Sequence, residues 1–220
     1  MNKKTKIITI DGPAGAGKTT VSKALAKKIG CVYVDTGSLY RAVAYEILNK
    51  KIDWENDRAF NIFLENLNLD FVVKKDFFIL LSSGVDITNH IRTSQISMLA
   101  SASSAKPQLR KALLGIQRDI SKNKTAVFEG RDMGTIVFPN ANHKFFLFAN
   151  LDIRAKRRFD EMPFDNDMNE VKRLMKTRDE KDSTRKTAPL KPAKDAIMID
   201  ASFLNVDQVV AKMVKYIVKA

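Results

Sequence analysis

The sequence predicts an α/β fold with a five-stranded parallel sheet flanked by helices, and three observations support this prediction. Short apolar runs alternate with helical patterns near the amino terminus, in the order strand, helix, strand, helix. Such short, almost uninterrupted apolar runs are typical of strands buried on both faces. A glycine-rich segment also joins the first predicted strand to the first predicted helix. The predicted strands cover residues 7–10, 31–34, 126–128, 145–148 and 196–199.

Helices are predicted where apolar residues recur every three or four positions. The first helix begins at Lys18 and stops at Gly30, and the second follows a turn at residues 36–37. Both helices therefore have one apolar face with which to cover the sheet. These faces consist of Val21, Leu25 and Ile29 in the first helix and of Leu39, Val43 and Ile47 in the second.

The middle of the chain departs from this alternation. Apolar runs at 71–73 and 77–81 flank Lys-Lys-Asp and predict a hairpin, and helical patterns resume near Thr93 and at Pro107. We interpret roughly residues 60–100 as an insertion in an α/β core. A basic helical stretch after Asp152 and a closing helix with Val206, Val210, Met213 and Ile217 complete the chain.

Composition and net charge suggest the size of the domain and the chemical class of its partner. The 220 residues are 45% hydrophobic, enough for one substantial domain or one domain with an insertion. The net charge is +13, which suggests an anionic partner such as nucleic acid, a membrane surface or a phosphorylated small molecule. A general richness in lysine is the alternative explanation. The basic residues are spread along the chain without a long block, which weakens the nucleic-acid interpretation.

The single cysteine and the absence of long apolar segments favour a cytoplasmic protein without a membrane anchor. Cys31 has no partner for an internal disulfide. The apolar run near the amino terminus stops at Asp11, too early for a signal peptide. No stretch approaches the ~20 apolar residues that span a bilayer. We see no oligomerisation surface in the sequence and expect a monomer.

The segment GPAGAGKT matches G-x-x-x-x-G-K-[ST] at every fixed position and lies between a predicted strand and helix. Its glycines let backbone N–H groups face one concavity, and the following helix adds its positive end. Lys18 can reach the β- and γ-phosphates of a nucleotide, and the Thr19 hydroxyl can ligate Mg²⁺. We therefore predict that ATP is bound by Gly12, Pro13, Ala14, Gly15, Ala16, Gly17, Lys18, Thr19 and Thr20.

This loop leaves the reaction open, because GTPases, ATPases and small-molecule kinases share it. Two further segments, DTGSLYR at 35–41 and EGRDMGT at 129–135, follow predicted strands, whose carboxyl ends face the ligand crevice of a parallel sheet. Each has a structural alternative: the first is an ordinary helix start, and the second is an ion-pair turn. A third segment, RDEKDSTRKTAPL at 178–190, has the composition of a solvated loop.

Together these segments resemble the motifs of the bacterial cytidylate kinase family. GPAGAGKT, DTGSLYR, IRT, GRDMGTIVFP, RAKRR and RDEKDSTR-x-x-APL occur in the family's order and spacing over residues 6–217. The resemblance implies ATP- and Mg²⁺-dependent phosphorylation of CMP and dCMP in pyrimidine nucleotide metabolism. It also implies a P-loop nucleoside monophosphate kinase fold, with a small inserted nucleotide-binding domain at about 60–100. A lid and substrate-binding region is implied at about 152–186.

The resemblance also assigns roles to individual residues. It places Thr36, Arg41 and Arg131 on the acceptor's phosphate, and Ser101, Arg110 and Asp132 on cytosine. It places Arg178 and Asp182 on the sugar and Arg185 on the phosphates, and it matches Arg154, Arg157 and Arg158 to the lid. The implied catalytic set is Lys18, Arg131, Arg185, Arg157 and Arg158, with Thr19 on the metal.

Two positions depart from the family pattern as we know it: Thr36 replaces a serine and keeps the hydroxyl, and Glu129 replaces an aspartate. Three rivals stay open at the sequence level. One is a kinase of another nucleoside monophosphate. Another is a GTPase or a nucleic-acid-dependent ATPase, although Thr177-Arg178-Asp179 lacks the guanine-reading pattern. The last is a basic nucleic-acid-binding module, which no aromatic-basic strand supports.

Overall fold

The computed structural model describes residues 5–73, 78–122, 124–161 and 167–219, and the chain divides into two compact units. The first unit comprises Met1–Tyr33 and Lys124–Ala220, and the second comprises Val34–Asn123. The strands are β1 (Ile7–Asp11), β2 (Val32–Asp35), β3 (Leu69–Val73), β4 (Phe78–Ser82), β5 (Val85–Asp86), β6 (Ala126–Gly130), β7 (His143–Phe148) and β8 (Ile197–Asp200). The α-helices are α1 (Lys18–Ile29), α2 (Gly37–Asn49), α3 (Asp57–Glu65), α4 (Ser94–Ser103), α5 (Pro107–Asp119), α6 (Leu151–Asp160), α7 (Met168–Thr184) and α8 (Val206–Lys219).

The first unit is built on a sheet with the strand order β2-β6-β1-β7-β8. Strand β1 runs parallel to β6 and β7, and β8 runs parallel to β7. The α/β fold and all five predicted strands are therefore confirmed. Because β1 is central, the carboxyl ends of β1, β6 and β7 bring the residues that follow them to one edge, where parallel sheets bind ligands.

Helices α1 and α8 supply apolar side chains to the core of this unit. Ile8 and Ile10 of β1 and Leu25 of α1 are fully buried in one cluster with Phe145 of β7 and Met213 of α8. The apolar faces predicted from the periodicity of these two helices therefore contribute directly to this core. Gly30 ends α1 with φ 66°, a left-handed conformation that favours glycine.

The second unit packs helices against a small antiparallel sheet in the order β3-β4-β5. Its core includes the fully buried residues Leu39, Phe60, Leu80 and Leu109. The predicted hairpin is confirmed by the antiparallel pairing of β3 and β4. The part of that prediction that covers residues 74–77 lies outside the described residues.

Besides the two-residue strand β5, two elements were not predicted. Helix α3 is capped by Asn56, whose side chain accepts from the backbone N–H groups of Arg58 and Ala59. With nine residues, α3 spans fewer than three helical turns, so its apolar periodicity is too short to distinguish it from a loop. The other is a π-helical turn, Met133–Val137, within the GRDMGT segment. The proposed boundaries at about 60–100 and 152–186 stay predictions, and residues 162–166 of the second range lie outside the described residues.

Candidate phosphotransfer site

The segment after β1 has the backbone that a phosphate cradle requires. Gly15 and Gly17 have φ angles of 71° and 89°, in the left-handed region that other residues avoid. At Gly12, with φ 151°, a Cβ atom would collide with the carbonyl oxygen of Leu147 in β7. Gly17 precedes α1, so the loop ends at a helix amino terminus, where backbone N–H groups attract anions.

Lys18 is folded back onto this loop. Its ammonium group donates to the carbonyl oxygen of Pro13 over 2.7 Å, and the residue is only 8% exposed. Burial, aided by the positive charge of Arg131, lowers the pKa of Lys18 to about 7, while the carboxylate of Glu129 opposes this shift. A bound polyphosphate would restore the charge that burial disfavours.

Thr19 contacts Glu129, the carboxylate at the end of β6. The Thr19 hydroxyl donates to Glu129 Oε1 over 2.8 Å, and Glu129 is buried. Because the hydroxyl proton is used in this bond, its oxygen lone pairs stay available to a hard cation such as Mg²⁺. These two oxygen-bearing side chains fit a magnesium ion that also binds phosphates and water. Within the described ranges, no cluster of three or more His, Cys, Asp or Glu residues could hold a metal by itself.

Asp11, the last residue of β1, holds the π-helical turn. Its carboxylate accepts from the backbone N–H of Met133 over 2.8 Å and from that of Gly134 over 2.7 Å. Burial raises the pKa of Asp11 to about 6, although these two hydrogen bonds oppose the shift. A Cβ atom at Gly134 would lie 3.0 Å from the hydroxyl of Thr9, so a side chain there would force its neighbours to shift. The turn fixes the backbone that follows Arg131 and Asp132.

Arg131 and Arg185 share the buried carboxylate of Asp182. Arg131 Nε donates to Asp182 Oδ2 over 3.0 Å, and Arg185 Nη1 lies 3.6 Å from Asp182 Oδ1. Arg185 also lies 3.9 Å from the carboxylate of Asp132. Burial alone would raise the pKa of Asp182, but the guanidinium groups of Arg131, Arg178 and Arg185 hold it below its ordinary value. We refer to these five residues as the arginine–aspartate network.

Three members of the network come from the charged segment at 178–190. Helix α7 continues through Thr184, so Arg178 and Asp182 lie one turn apart, and Arg185 follows at the helix end. Glu180 and Lys181 are exposed. The segment is therefore a helix end with one functional face, and interpreting it as a solvated loop would have been wrong for its first seven residues.

The three arginines of α6 lie in different surroundings. Arg154 is buried and braces the loop, since its Nη1 donates to the carbonyl oxygen of Ala14 over 3.0 Å and pairs with Asp179 at 2.5 Å. Arg157 Nη1 lies 4.0 Å from the position of a Cβ built on Gly17, which puts its guanidinium beside the cradle. Arg158 pairs with Glu161 at 3.3 Å, near the end of the same helix.

In the second unit, Asp35 organises the start of α2. Its carboxylate accepts from Arg41 Nη2 over 2.6 Å and from the backbone N–H of Ser38 over 3.2 Å. A side chain on Gly37 would come within 3.1 Å of both partners of the Asp35–Arg41 pair. Thr36, buried, precedes the helix. The predicted phosphate ligand Arg41 is thus held by Asp35, a residue to which sequence reasoning gave no role.

Arg110, a predicted base reader on α5, has a close aromatic neighbour. Its Nη1 donates to the hydroxyl of Tyr40 over 2.8 Å, and its guanidinium carbon lies 5.4 Å from the centre of the Tyr40 ring. Both residues belong to the second unit. Ser101 is half-buried on α4 in the same unit, and its carbonyl oxygen accepts from Ser104 Oγ over 2.8 Å.

Sequence reasoning missed Asp11, Asp35, Tyr40 and the bracing role of Arg154. The signal for Asp11 and Asp35 was their place at the last position of a strand, directly before a glycine-rich segment or a helix start. The sequence shows Tyr40 only as one residue of the DTGSLYR motif, because its partner Arg110 lies seventy residues away. Contacts over such a separation follow from the fold and not from local spacing.

A glycine-rich phosphate loop between a central parallel strand and a helix, with arginines around it, defines a P-loop kinase. The family model for cytidylate kinase matches residues 8–219. A cytidylate kinase from Caldicellulosiruptor saccharolyticus is 40% identical over 96% of this chain and 95% of its own length. Cytidylate kinase 1 from Haemophilus influenzae is 38% identical over 96% and 93%. The chain belongs to the cytidylate kinase family, a family of nucleoside monophosphate kinases.

Solved structures support the fold. The shikimate kinase of Bacteroides thetaiotaomicron superposes with a TM-score of 0.52, covering 98% of this chain and 99% of its own, at 13% identity. That similarity concerns architecture alone. Among the described residues, no helix is both long and apolar enough to cross a membrane.

Proposed function

We propose that this enzyme transfers the γ-phosphoryl group of ATP to CMP and dCMP, giving CDP and dCDP. The observation that carries the proposal is the arginine–aspartate network, in which Arg131 and Arg185 share the buried carboxylate of Asp182. Membership of the cytidylate kinase family favours a pyrimidine nucleotide as the acceptor over the GTPase and nucleic-acid alternatives.

The reaction requires positioning and charge neutralisation more than proton abstraction. The phosphate of a nucleoside monophosphate is already ionised near neutral pH, so it can attack without a strong general base. In-line transfer builds charge on the equatorial oxygens of the moving group, and preformed cations stabilise that charge. We assign this task to Lys18, Arg131 and Arg185, with Arg157 and Arg158 as further contributors.

The acceptor's phosphate and sugar need separate contacts. We assign the phosphate to Thr36, Arg41 and Arg131. Following the family resemblance, we assign the sugar hydroxyls to Arg178 and Asp182, whose carboxylate can accept hydrogen bonds from hydroxyl groups. Arg185, buried between two carboxylates, completes the phosphate contacts.

We propose that cytosine is distinguished from uracil by Asp132, Ser101 and Arg110. Cytosine offers an amino donor that carboxylate and hydroxyl groups accept, and two acceptors that a guanidinium can satisfy. Uracil reverses part of this pattern and would leave buried polar groups unpaired, which costs affinity. The contact between Arg110 and Tyr40 holds the guanidinium in one orientation before a base arrives.

Magnesium fits the oxygen atoms of Thr19 and Glu129, and these residues would hold it beside the phosphate loop. When bound, Mg²⁺ supplies positive charge to the β- and γ-phosphates. Lys18 and the loop backbone orient the same phosphates. Closure of the α6–α7 region, the predicted lid, would exclude water and limit wasteful hydrolysis of ATP. We further propose that the enzyme is a cytoplasmic monomer.

A coupled assay of ADP release tests the function. With ATP and Mg²⁺, we expect rapid release with CMP and dCMP, and release at least ~100-fold slower with UMP and AMP. An Arg173→Ala variant should keep the wild-type rates, because Arg173 is exposed on α7 and, within the described part of the chain, forms an ion pair only with Glu170. Equal rates with all four acceptors would reject cytosine recognition, and a rate independent of any acceptor would reject the kinase.

A further inference from the structure

Asp11 lies between the two segments to which donor and acceptor contacts are assigned. It is the last residue of β1 and directly precedes the phosphate loop. In the parallel register of β1 and β6 it lies opposite Gly130, which directly precedes Arg131 and Asp132. Asp11 is only 3% exposed. The two segments therefore leave neighbouring strands at the level of this one buried residue.

The carboxylate of Asp11 uses both of its oxygens on the acceptor side. Oδ1 accepts from the backbone N–H of Met133 over 2.8 Å, and Oδ2 accepts from that of Gly134 over 2.7 Å. Two buried N–H groups that converge on one side chain are best satisfied by a carboxylate, because each oxygen takes one of them. An asparagine would offer one oxygen and an NH₂ group, which repels the second N–H.

The π-helical turn has its own hydrogen bonds beyond these two N–H groups. The N–H of Ile136 donates to the carbonyl oxygen of Asp132 over 2.9 Å, and that of Phe138 donates to the carbonyl oxygen of Met133 over 2.7 Å. The first N–H groups of a helical turn point away from it and need an acceptor elsewhere, which Asp11 supplies. Asp11 thus attaches an internally bonded turn to the central strand of the sheet.

We propose that Asp11 is a positioning residue for the acceptor nucleotide, because it sets where Arg131 and Asp132 stand relative to the phosphate loop. These two residues connect β6 to the turn, so their backbone is held at Gly130 by the sheet and at Met133 by Asp11. Misplacement of a binding group by about 1 Å can cost ~10²-fold in rate. This inference rests on the proposed function, since it concerns the acceptor of the same reaction.

The first test is the Asp11→Asn variant, which preserves the size of the side chain. Its NH₂ group faces one of the two N–H donors, so the turn should shift. We expect KM for CMP to rise about tenfold and the kcat/KM ratio of CMP to UMP to fall about tenfold. The Kd for ATP with Mg²⁺, measured without acceptor, should stay within about threefold of the wild type. Amide hydrogen exchange at Met133 and Gly134 should become faster.

A second variant moves the same turn and keeps the carboxylate. In Gly134→Ala, the Cβ atom would lie 3.0 Å from the hydroxyl of Thr9 and 3.4 Å from Asp11 Oδ2. The CMP-to-UMP ratio should therefore fall in the same direction as in Asp11→Asn. Adding Thr9→Ala removes the closer contact and should restore most of the ratio. This pair of variants decides the question if Asp11→Asn does not fold.

Val210→Ala is the control for lost stability, because Val210 of α8 is buried in the core that contains Ile8 and Ile10 of β1. It should lower the melting temperature and leave the CMP-to-UMP ratio unchanged. A fall in the ratio as large as that of Asp11→Asn would show that the ratio reports only stability, and would overturn the proposal.

Three further outcomes would overturn the proposal. A wild-type ratio in Asp11→Asn, from an enzyme that prefers CMP, would remove the positioning role and leave the proposed function intact. A loss of ATP affinity as large as that for CMP would show a disturbed phosphate loop instead of a displaced acceptor site. Equal use of CMP and UMP by the wild type would reject the base assignment and this proposal together.

Discussion

The two compact units hold their candidate site residues in different ways. In the first unit, Asp182 is shared by several guanidinium groups, and its charge is maintained by all of them together. In the second unit, Arg41 contacts the carboxylate of Asp35, and Arg110 contacts the hydroxyl and the ring of Tyr40. The first unit therefore gathers several cations around one buried carboxylate, whereas Arg110 in the second unit is oriented by a directed hydrogen bond.

This difference has a physical reason. A transferring phosphoryl group carries charge that spreads over several oxygens, so several positioned cations stabilise it together. A base is recognised by its donor and acceptor pattern, so one misdirected group is enough to weaken discrimination. Substitution of Arg131 or Arg185 should reduce turnover strongly, and a substitution that disturbs Arg110 should mainly change selectivity.

The largest effect should come from Arg131→Ala, which removes one cation from the arginine–aspartate network. We expect kcat to fall about 10²- to 10³-fold. Stability should fall much less than for an isolated buried pair, because Asp182 keeps Arg178 and Arg185. Steady-state kinetics with CMP and thermal melting measure the two effects. Near-normal activity at an unchanged melting temperature would refute the assigned role.

The next effect concerns Glu129, which orients Thr19. Glu129→Gln keeps a hydrogen-bond acceptor but removes the charge, so we expect the Mg²⁺ concentration at half-maximal ATP binding to rise 10- to 100-fold. Titration of ATP affinity against Mg²⁺ measures the change, and Glu180→Gln on the exposed side of α7 is the control. Coincident Mg²⁺ curves for the two variants would contradict the proposal.

Lys18 makes ATP binding depend on pH. Its pKa of about 7 in the free enzyme should rise next to phosphate anions, so binding above pH 7 takes up a proton. The Kd should therefore increase up to tenfold per pH unit above pH 7. Calorimetry in buffers of different ionisation enthalpy counts the protons. The uptake should vanish in Lys18→Met and persist in Lys27→Met, and its persistence in Lys18→Met would assign the proton to another group.

The smallest effect should be that of Tyr40→Phe, which removes one hydrogen bond from Arg110 and keeps the ring beneath the guanidinium. We expect the kcat/KM ratio of CMP to UMP to fall about 3- to 10-fold, with kcat for CMP nearly unchanged. Tyr45→Phe, which alters another tyrosine on α2, is the control. A fall in kcat without a change in the ratio would mean that Tyr40 does not position the base reader.

The sequence predicted the features that depend on neighbouring residues and missed the contacts between distant ones. The five-stranded sheet and the phosphate loop follow from local patterns, because strand runs, glycines and Lys18 are adjacent in the chain. The bond of Glu129 to Thr19 joins residues far apart in sequence, and the contact of Tyr40 with Arg110 does the same. The family resemblance assigned substrate-binding roles to Arg110 and Asp182. It did not supply the neighbours that hold them.

Two aspartates of helix α7 form ion pairs with arginines that lie in different parts of the candidate site. Asp179 pairs with Arg154, which bonds to the phosphate loop at Ala14, and Asp182 pairs with Arg131. The two carboxylates are three residues apart, on neighbouring positions of one helical surface. A rotation or slide of α7 therefore changes both ion pairs at once. The phosphate loop and Arg131 are therefore both linked to one helix, and a displacement of that helix would reach both.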